Sequence, residues 1–205
     1  MYAPIMEIVL ASANPHKRRE IGEILTGFRI LLPADLGVQY DYEEVGTTYI
    51  ENALGKAQTL YRQVHMPVLA DDSGISVPAL GGAPGVYSAR YGSEVLGREL
   101  DDVGRNELLL ENMKDTTDRS AFYVCCMVLI LEEYRMFICQ ETLHGEIAFA
   151  PVGGGGFGYD PIFLLPDRGK TVAQITADEK HRISHRGKAG RRIQEILEAL
   201  ARDVG

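Results

Sequence analysis

The sequence predicts an α/β protein built on a mixed sheet, and three observations carry that prediction. Short apolar runs rich in strand formers alternate with segments of helical period along the 205 residues. From Arg119 to Ala148, RSAFYVCCMVLILEEYRMFICQETLHGEIA reads as two long strands joined at Glu132 to Arg135. This hairpin, apolar on both faces near its start, adds antiparallel pairing to a chain whose earlier strands are separated by helices. No internal repeat, low-complexity tract or linker interrupts the sequence, so a single domain over residues 1–205 is expected.

The elements follow in order. IVLAS (Ile8 to Ser12) is a strand that runs directly into NPHKRREIGEIL, where Asn14 is a good N-cap and Pro15 suits the first helical position. Ile21, Ile24, Leu25 and Phe28 give that helix an apolar face, and RILLP (Arg29 to Pro33) is the second strand. The acidic loop QYDYEEVG leads to a long helix opened by Thr48 and Glu51 in capping-box spacing, with Ile50, Ala53, Leu54, Ala57, Leu60, Tyr61 and Val64 in helical period. PVLADDSGISV reads as a buried strand that ends abruptly in polar residues, with Gly74 as the break. The glycine-rich LGGAPGVYSARYG precedes a helix over Arg98 to Met113. Beyond the hairpin come PVGGGGFGYDPIF, an extended PIFLLP, and a short helix from Ala177 to Ile183 with Thr176 and Glu179 in capping-box spacing. The last helix carries Ile193, Ile196, Leu197, Leu200 and Val204.

Bulk properties limit the partners. A net charge of -8 argues against a protein that grips a nucleic acid polymer, because such binding rests on clustered Lys and Arg. A small phosphorylated ligand, which needs only a few cations, stays open. Cys125, Cys126 and Cys139 are an odd number without C-x-x-C spacing, which suggests neither a disulfide framework nor a zinc knuckle and points to a reducing, cytoplasmic setting. MYAPIMEIVLA lacks the basic region and cleavage site of a signal peptide. The longest uncharged apolar run, Ala121 to Leu131, is well short of the roughly 20 residues that span a bilayer, so no membrane association is expected.

Four segments have chemistry to offer. SANPHK is a strand–turn–helix junction with Lys17 in its first helical turn, suited to a phosphate through unpaired backbone N–H groups, or simply a solvated turn capped by Asn14. Glu43-Glu44 and Asp71-Asp72 are acidic pairs of the kind that hold Mg²⁺ through oxygen. In ITADEKHRISHRGKAG, Lys180, His181, Arg182, His185, Arg186 and Lys188 concentrate positive charge against the sign of the whole chain. FGYDP places Phe157 and Tyr159 two residues apart, on one side of an extended chain, with Gly158 opening space between them. Two rings and the Asp160 carboxylate suit a nucleobase, although rings at these positions equally suit a core.

The motifs SANPHK, EE with TTYIENALGKA, ADDSGISVPALGGAPGVYSARYG, GGGGFGYDPIF and EKHRISHRGKA occur in the order of a known family. Over nearly the whole chain, from about Ile8 to the final helix, the sequence resembles the house-cleaning nucleoside triphosphate pyrophosphatases that act on inosine and xanthosine triphosphates. The resemblance implies an elongated α/β fold with a long central mixed sheet flanked by helices, two lobes with a nucleotide cleft between them, and a homodimer. It implies Mg²⁺-dependent hydrolysis of a non-standard purine triphosphate (ITP, dITP or XTP) to the monophosphate and pyrophosphate. By motif position, Glu43 and Asp72 are the implied metal ligands and Asp72 the implied proton acceptor, with Ser73 on the phosphate chain. Ser12, Ala13, Asn14, His16 and Lys17 are implied to hold phosphates, with Lys180 as a further cation and Lys56 within reach. Phe157, Gly158, Tyr159 and Asp160, with His185 and Arg186, are implied to surround and read the base. The chain has Ser12-Ala13-Asn14 where the family has threonine-glycine-asparagine, and its loop before Glu43 is slightly longer, which leaves Glu44 an alternative to Glu43.

Overall fold

The computed structural model describes residues 6–12 and 14–203, without the side chains of residues 15, 16, 94 and 203. Seven strands form one sheet: β1 (Glu7–Leu10), β2 (Arg29–Leu31), β3 (Val68–Ser76), β4 (Ser120–Glu132), β5 (Arg135–Ile147), β6 (Phe163–Leu165) and β7 (Lys170–Thr171). Their order is β2-β1-β3-β4-β5-β6-β7. β1 is parallel to β2 and to β3, with Val9 opposite Leu31 on one side and Val68 on the other, whereas β6 is antiparallel to both β5 and β7. The fold is therefore α/β with a mixed sheet. The helices are α1 (Pro15–Ile24), α2 (Tyr49–Val64), α3 (Ser93–Leu96), α4 (Asp102–Asn112), α5 (Ala177–Ile183) and α6 (His185–Asp203).

Local chemistry sets the helix boundaries. Asn14 Oδ1 accepts from the Lys17 N–H at 3.3 Å at the start of α1. On α2 the Thr48 hydroxyl accepts from the Glu51 N–H at 3.2 Å and the Glu51 carboxylate accepts from the Thr48 N–H at 3.1 Å, a complete capping box. α4 starts later than the expected Arg98, because Asp101 accepts from the Gly104 N–H at 2.8 Å and so caps the helix there. At α5 only half of the expected box forms: Thr176 accepts from the Glu179 N–H, while the Glu179 carboxylate is ion-paired with Arg168. Val204 lies outside the described residues.

The chain packs as two compact units, Met1–Asp72 with Cys125–Glu141 and Arg186–Gly205, and Ser73–Val124 with Thr142–His185. In the first unit β1, β3 and the 125–130 stretch of β4 are buried on both faces. Ile8, Leu10, Leu69, Cys125, Met127 and Leu129 pack with Ile21 and Leu25 of α1 and Ala189, Ile193 and Leu197 of α6. The alternate residues Val9, Ala11, Val68, Ala70, Cys126, Val128 and Ile130 pack with Ala53, Ala57 and Leu60 of α2. Ile50, expected on the apolar face of α2, is exposed. In the second unit Ile75, Val77, Tyr123, Leu143, Ile147, Phe163 and Leu165 form a core with Leu109 and Met113 of α4.

The end of β3 also differs from expectation. β3 does not stop at its polar residues but continues through Asp71, Asp72, Ser73 and Gly74 to Ser76, buried for most of its length. The charges are tolerated inside because each meets a partner on its own side of the strand.

Candidate active site

Strand period two sends consecutive side chains to opposite faces. Asp71 therefore shares the face of Leu69, which α1 and α6 cover, and Asp72 shares the face of Ala70, which α2 covers. The two acids do not form one pair. Asp71 Oδ1 lies 3.0 Å from Lys17 Nζ of α1, and its Oδ2 accepts from Arg186 of α6 at 3.3 and 3.4 Å. Arg186 also donates to Glu20 of α1 at 2.6 Å. Burial raises the Asp71 carboxyl, but Lys17 and Arg186 outweigh burial and hold it well below the ordinary carboxylate range. Burial lowers the Arg186 guanidinium, and Asp71 and Glu20 more than reverse that, so it stays charged.

Asp72 is built differently. Its Oδ1 accepts from Lys56 Nζ at 3.1 Å and its Oδ2 from Asn52 Nδ2 at 3.3 Å, both on α2. Lys56 Nζ also donates to Glu44 Oε1 at 2.6 Å, so one buried ammonium bridges two carboxylates. Burial raises the Asp72 carboxyl; Lys56 opposes this, Glu44 adds to it, and the net shift is upward. Lys56 is pushed down by burial and further up by Asp72, Asp71 and Glu44, so the ammonium is firmly protonated.

Glu44 reaches this cluster because residues 41–46 alternate between exposed and half-buried side chains. Tyr40 donates to the Lys56 carbonyl at 3.1 Å, Glu44 meets Lys56, and the Gly46 N–H donates to Asn52 Oδ1 at 2.8 Å. Tyr42 occupies the surface over Gly55, where any Cβ would collide with it. The even-numbered residues thus lie along α2 and the odd-numbered ones face out. Glu43, the expected metal ligand, is exposed; Glu44 is the residue brought to Asp72. Asn52 and Glu20 were not singled out from the sequence. The signal for each was helical spacing, since Asn52 precedes Lys56 by four residues and Glu20 follows Lys17 by three.

Among the described residues, no three of His, Cys, Asp or Glu group closely enough to hold a metal by themselves. Glu44 and Asp72 nonetheless fit Mg²⁺, which takes one or two carboxylates and completes its shell with water and phosphate oxygen. They already stabilise positive charge between them, in the form of Lys56. In the turn before α1, Ser12 Oγ accepts from the Asn14 N–H at 3.1 Å. Ala13 and the His16 side chain lie outside the described residues. Ser73 is half-buried on β3.

The second unit holds the glycine-rich segment, and it is not an extended chain. Gly158 has φ +62°, and the backbone turns there and enters a 3₁₀ turn at Asp160–Ile162. Phe157 and Tyr159 consequently part company. Tyr159 is buried in the core and donates to the Ser88 carbonyl at 2.8 Å, while Phe157 stays half-exposed with Lys180 Nζ 4.6 Å from its ring centroid. Asp160, expected to bind ring N–H groups of a base, is 4% exposed. It accepts from the Phe157 N–H at 2.9 Å, Lys180 Nζ at 2.8 Å and the Tyr123 hydroxyl at 3.3 Å. Lys180 therefore stands with Asp160 and Phe157. His185 is buried and stacks on Tyr123 at 4.6 Å, and Tyr123 stacks in turn on Phe163 at 4.3 Å. Arg186, expected beside it at a base, belongs to the Asp71 cluster of the first unit.

The glycines serve close approach. A Cβ on Gly153 or Gly155 would press on the Ala173 backbone, whose carbonyl accepts from the Gly155 N–H at 3.1 Å, and a Cβ on Gly156 would strike the Asp160 carboxylate.

A dITP/XTP pyrophosphatase of Treponema denticola is 51% identical over 185 residues, covering 90% of this chain and 94% of the relative. One of Escherichia coli is 43% identical over 202 residues, covering 96% and 98%. The solved structure of a Ham1 protein from Coxiella burnetii superposes with a TM-score of 0.86 at 40% identity, covering 95% of this chain and 99% of that one. The Ham1 family model matches residues 8–196, and with relatives this similar along almost their full length, the chain belongs to the Ham1 family.

Proposed function

We propose that the protein hydrolyses non-standard purine nucleoside triphosphates (ITP, dITP and XTP) to the monophosphate and pyrophosphate, with Mg²⁺, through one catalytic domain. The activity for which the relatives are named, dITP/XTP pyrophosphatase, points to the substrate class. What carries the reading is Asp72, a buried carboxylate with a raised proton affinity, flanked by Lys56, Glu44 and Asn52. Asp71, locked by two cations and far weaker as a base, is the contrast that supports giving the proton-accepting role to Asp72.

Water adds to the α-phosphorus, the bond from that phosphorus to the bridging oxygen breaks, pyrophosphate leaves, and the proton of the water passes to Asp72. Glu44 and Asp72 would hold Mg²⁺, which supplies charge neutralisation to the phosphates. Lys17 and Lys56 neutralise the polyphosphate, with the turn from Ser12 to Lys17 and Ser73 supplying hydrogen-bond donors. Phe157 offers a ring face to the purine, and the turn through Gly158, Tyr159 and Asp160, backed by Lys180 and His185, keeps that ring in position. Arg186 serves through Asp71.

No helix among the described residues is long and apolar enough to cross a membrane. A cytoplasmic homodimer completes the proposal, and light scattering on the purified protein tests the dimer. The deciding experiment incubates protein and Mg²⁺ with ITP, dITP, XTP, GTP and ATP. Pyrophosphate with IMP or XMP is expected; orthophosphate with a diphosphate, binding without turnover, or equal rates on ATP overturns the reading.

A further inference from the structure

Gly158 is held by α4 through both of its backbone polar groups. Its N–H donates to Asp102 Oδ2 at 2.6 Å, and its carbonyl accepts from Asn106 Nδ2 at 3.1 Å. Asp102 and Asn106 are four residues apart and so lie on one face of α4. Flanking residues are fixed as well, by the Phe157 N–H to Asp160 and the Tyr159 hydroxyl to Ser88. Within Phe157–Asp160 the half-exposed Phe157 side chain is thus carried on a backbone with little freedom left.

Asn106 is not explained by stability alone. It is buried, and its Oδ1 has no hydrogen-bond partner among the described residues. Orphaning a buried acceptor is unfavourable, so the amide is retained at a cost that its donor end must offset. The residue is explained by its other end, the Nδ2 that reaches Gly158.

We infer that Asp102 and Asn106 are positioning residues for base recognition, clamping the Gly158 peptide so that the Phe157 ring is pre-set for the purine. This rests on the function proposed above. A pre-set ring lowers the ordering cost of binding, so its loss appears in KM and not in the chemical step.

The test compares wild type with Asn106→Ala, Asp102→Ala, Asp102→Asn and Arg105→Ala. Asp102→Asn keeps an acceptor for the Gly158 N–H, and Arg105→Ala removes the ion pair that Asp102 also makes while leaving the clamp. Hydrogen exchange of the 153–163 segment and steady-state kinetics on ITP are measured on each. Both alanine variants at the clamp are expected to speed exchange at Gly158 and to raise KM roughly tenfold with kcat within about twofold. Asp102→Asn and Arg105→Ala are expected to stay near wild type. Faster exchange with unchanged KM, a fall in kcat at constant KM, or unaltered exchange overturns the inference. Asp102, on the helix surface, keeps the test informative if Asn106→Ala fails to fold. A wild-type protein that does not turn over ITP overturns the functional reading and this inference with it; wild-type turnover with unmoved variants overturns the inference alone.

Discussion

Lys56→Met is the most informative single change, because it removes a cation that Glu44 and Asp72 share. Lys56 Nζ lies 2.6 Å from Glu44 and 3.1 Å from Asp72, and the three side chains are 8%, 25% and 6% exposed respectively. Methionine keeps most of the volume and none of the charge. Removing one partner of a buried pair costs about 3–5 kcal/mol, because a buried charge is left uncompensated. Glu44 retains a quarter of its exposure and can turn to water, which favours the lower end, about 3 kcal/mol. For a chain of this size that lowers Tm by roughly 6–12 °C. The assay is urea unfolding at low ionic strength in EDTA, followed by two probes, with unchanged m-value as the sign that only stability moved. Added Mg²⁺ should then stabilise the variant more than the wild type, since the dication replaces the lost charge and no longer competes with Lys56. A loss below about 1 kcal/mol, or a smaller Mg²⁺ gain in the variant, would refute the shared-cation account.

Three further outcomes are expected. Asp72→Asn should lower kcat roughly 10²–10⁴-fold while leaving the fold in place, and a near-normal rate would show that the proton acceptor lies elsewhere. Gly156→Ala should destabilise by about 2 kcal/mol or more, since its φ is +73° and a Cβ meets Asp160, whereas Gly154→Ala, with open space around it, should be neutral or slightly stabilising; equal effects in urea unfolding would sink the close-approach reading. Burial, aided by Asp72 and Cys139, pushes the Cys126 thiol from 9.0 up to about 11, so at pH 8 only about one molecule in a thousand carries the thiolate and labelling by a disulfide reagent should be slow until urea is added. Because this folded pKa is above the unfolded one, the stability it contributes is complete below pH 9 and is lost as pH rises toward 11, about 3 kcal/mol in all; a flat stability profile over that window would contradict it.

The elements were legible wherever local chemistry decides them. The Thr48-Glu51 box, the Asn14 cap and the hairpin turn are short-range signals, and each lands as expected. Two features were less legible because their meaning depends on what lies across the sheet. Asp71-Asp72 looks like a strand end, since charged residues are rarely fully buried. Only the cations of α1, α2 and α6 make it strand interior, and those come from positions 17, 56 and 186. Similarly, Glu43 and Glu44 are equivalent as residue types. Only the alternation of the segment against α2, carried by the spacing of Tyr40, Tyr42, Glu44 and Gly46, separates them.

The glycine run shows the same limit from the other side. Four consecutive glycines suggest a hinge when composition is the only guide, because freedom is what glycine offers in isolation. Here Gly153 and Gly155 are pressed against the Ala173 backbone and Gly156 against the Asp160 carboxylate, so the absence of side chains lets the segment dock. Docking also accounts for the fate of Asp160. Its oxygens accept from the Phe157 N–H, Lys180 and Tyr123, which makes it the anchor of the turn that presents Phe157. Under the proposed function, a wall fixed in this way would select a base by shape and stacking held in advance. That is why changes at α4, which holds the wall without contributing a ring to it, are expected to alter KM and leave the chemistry of Asp72 alone.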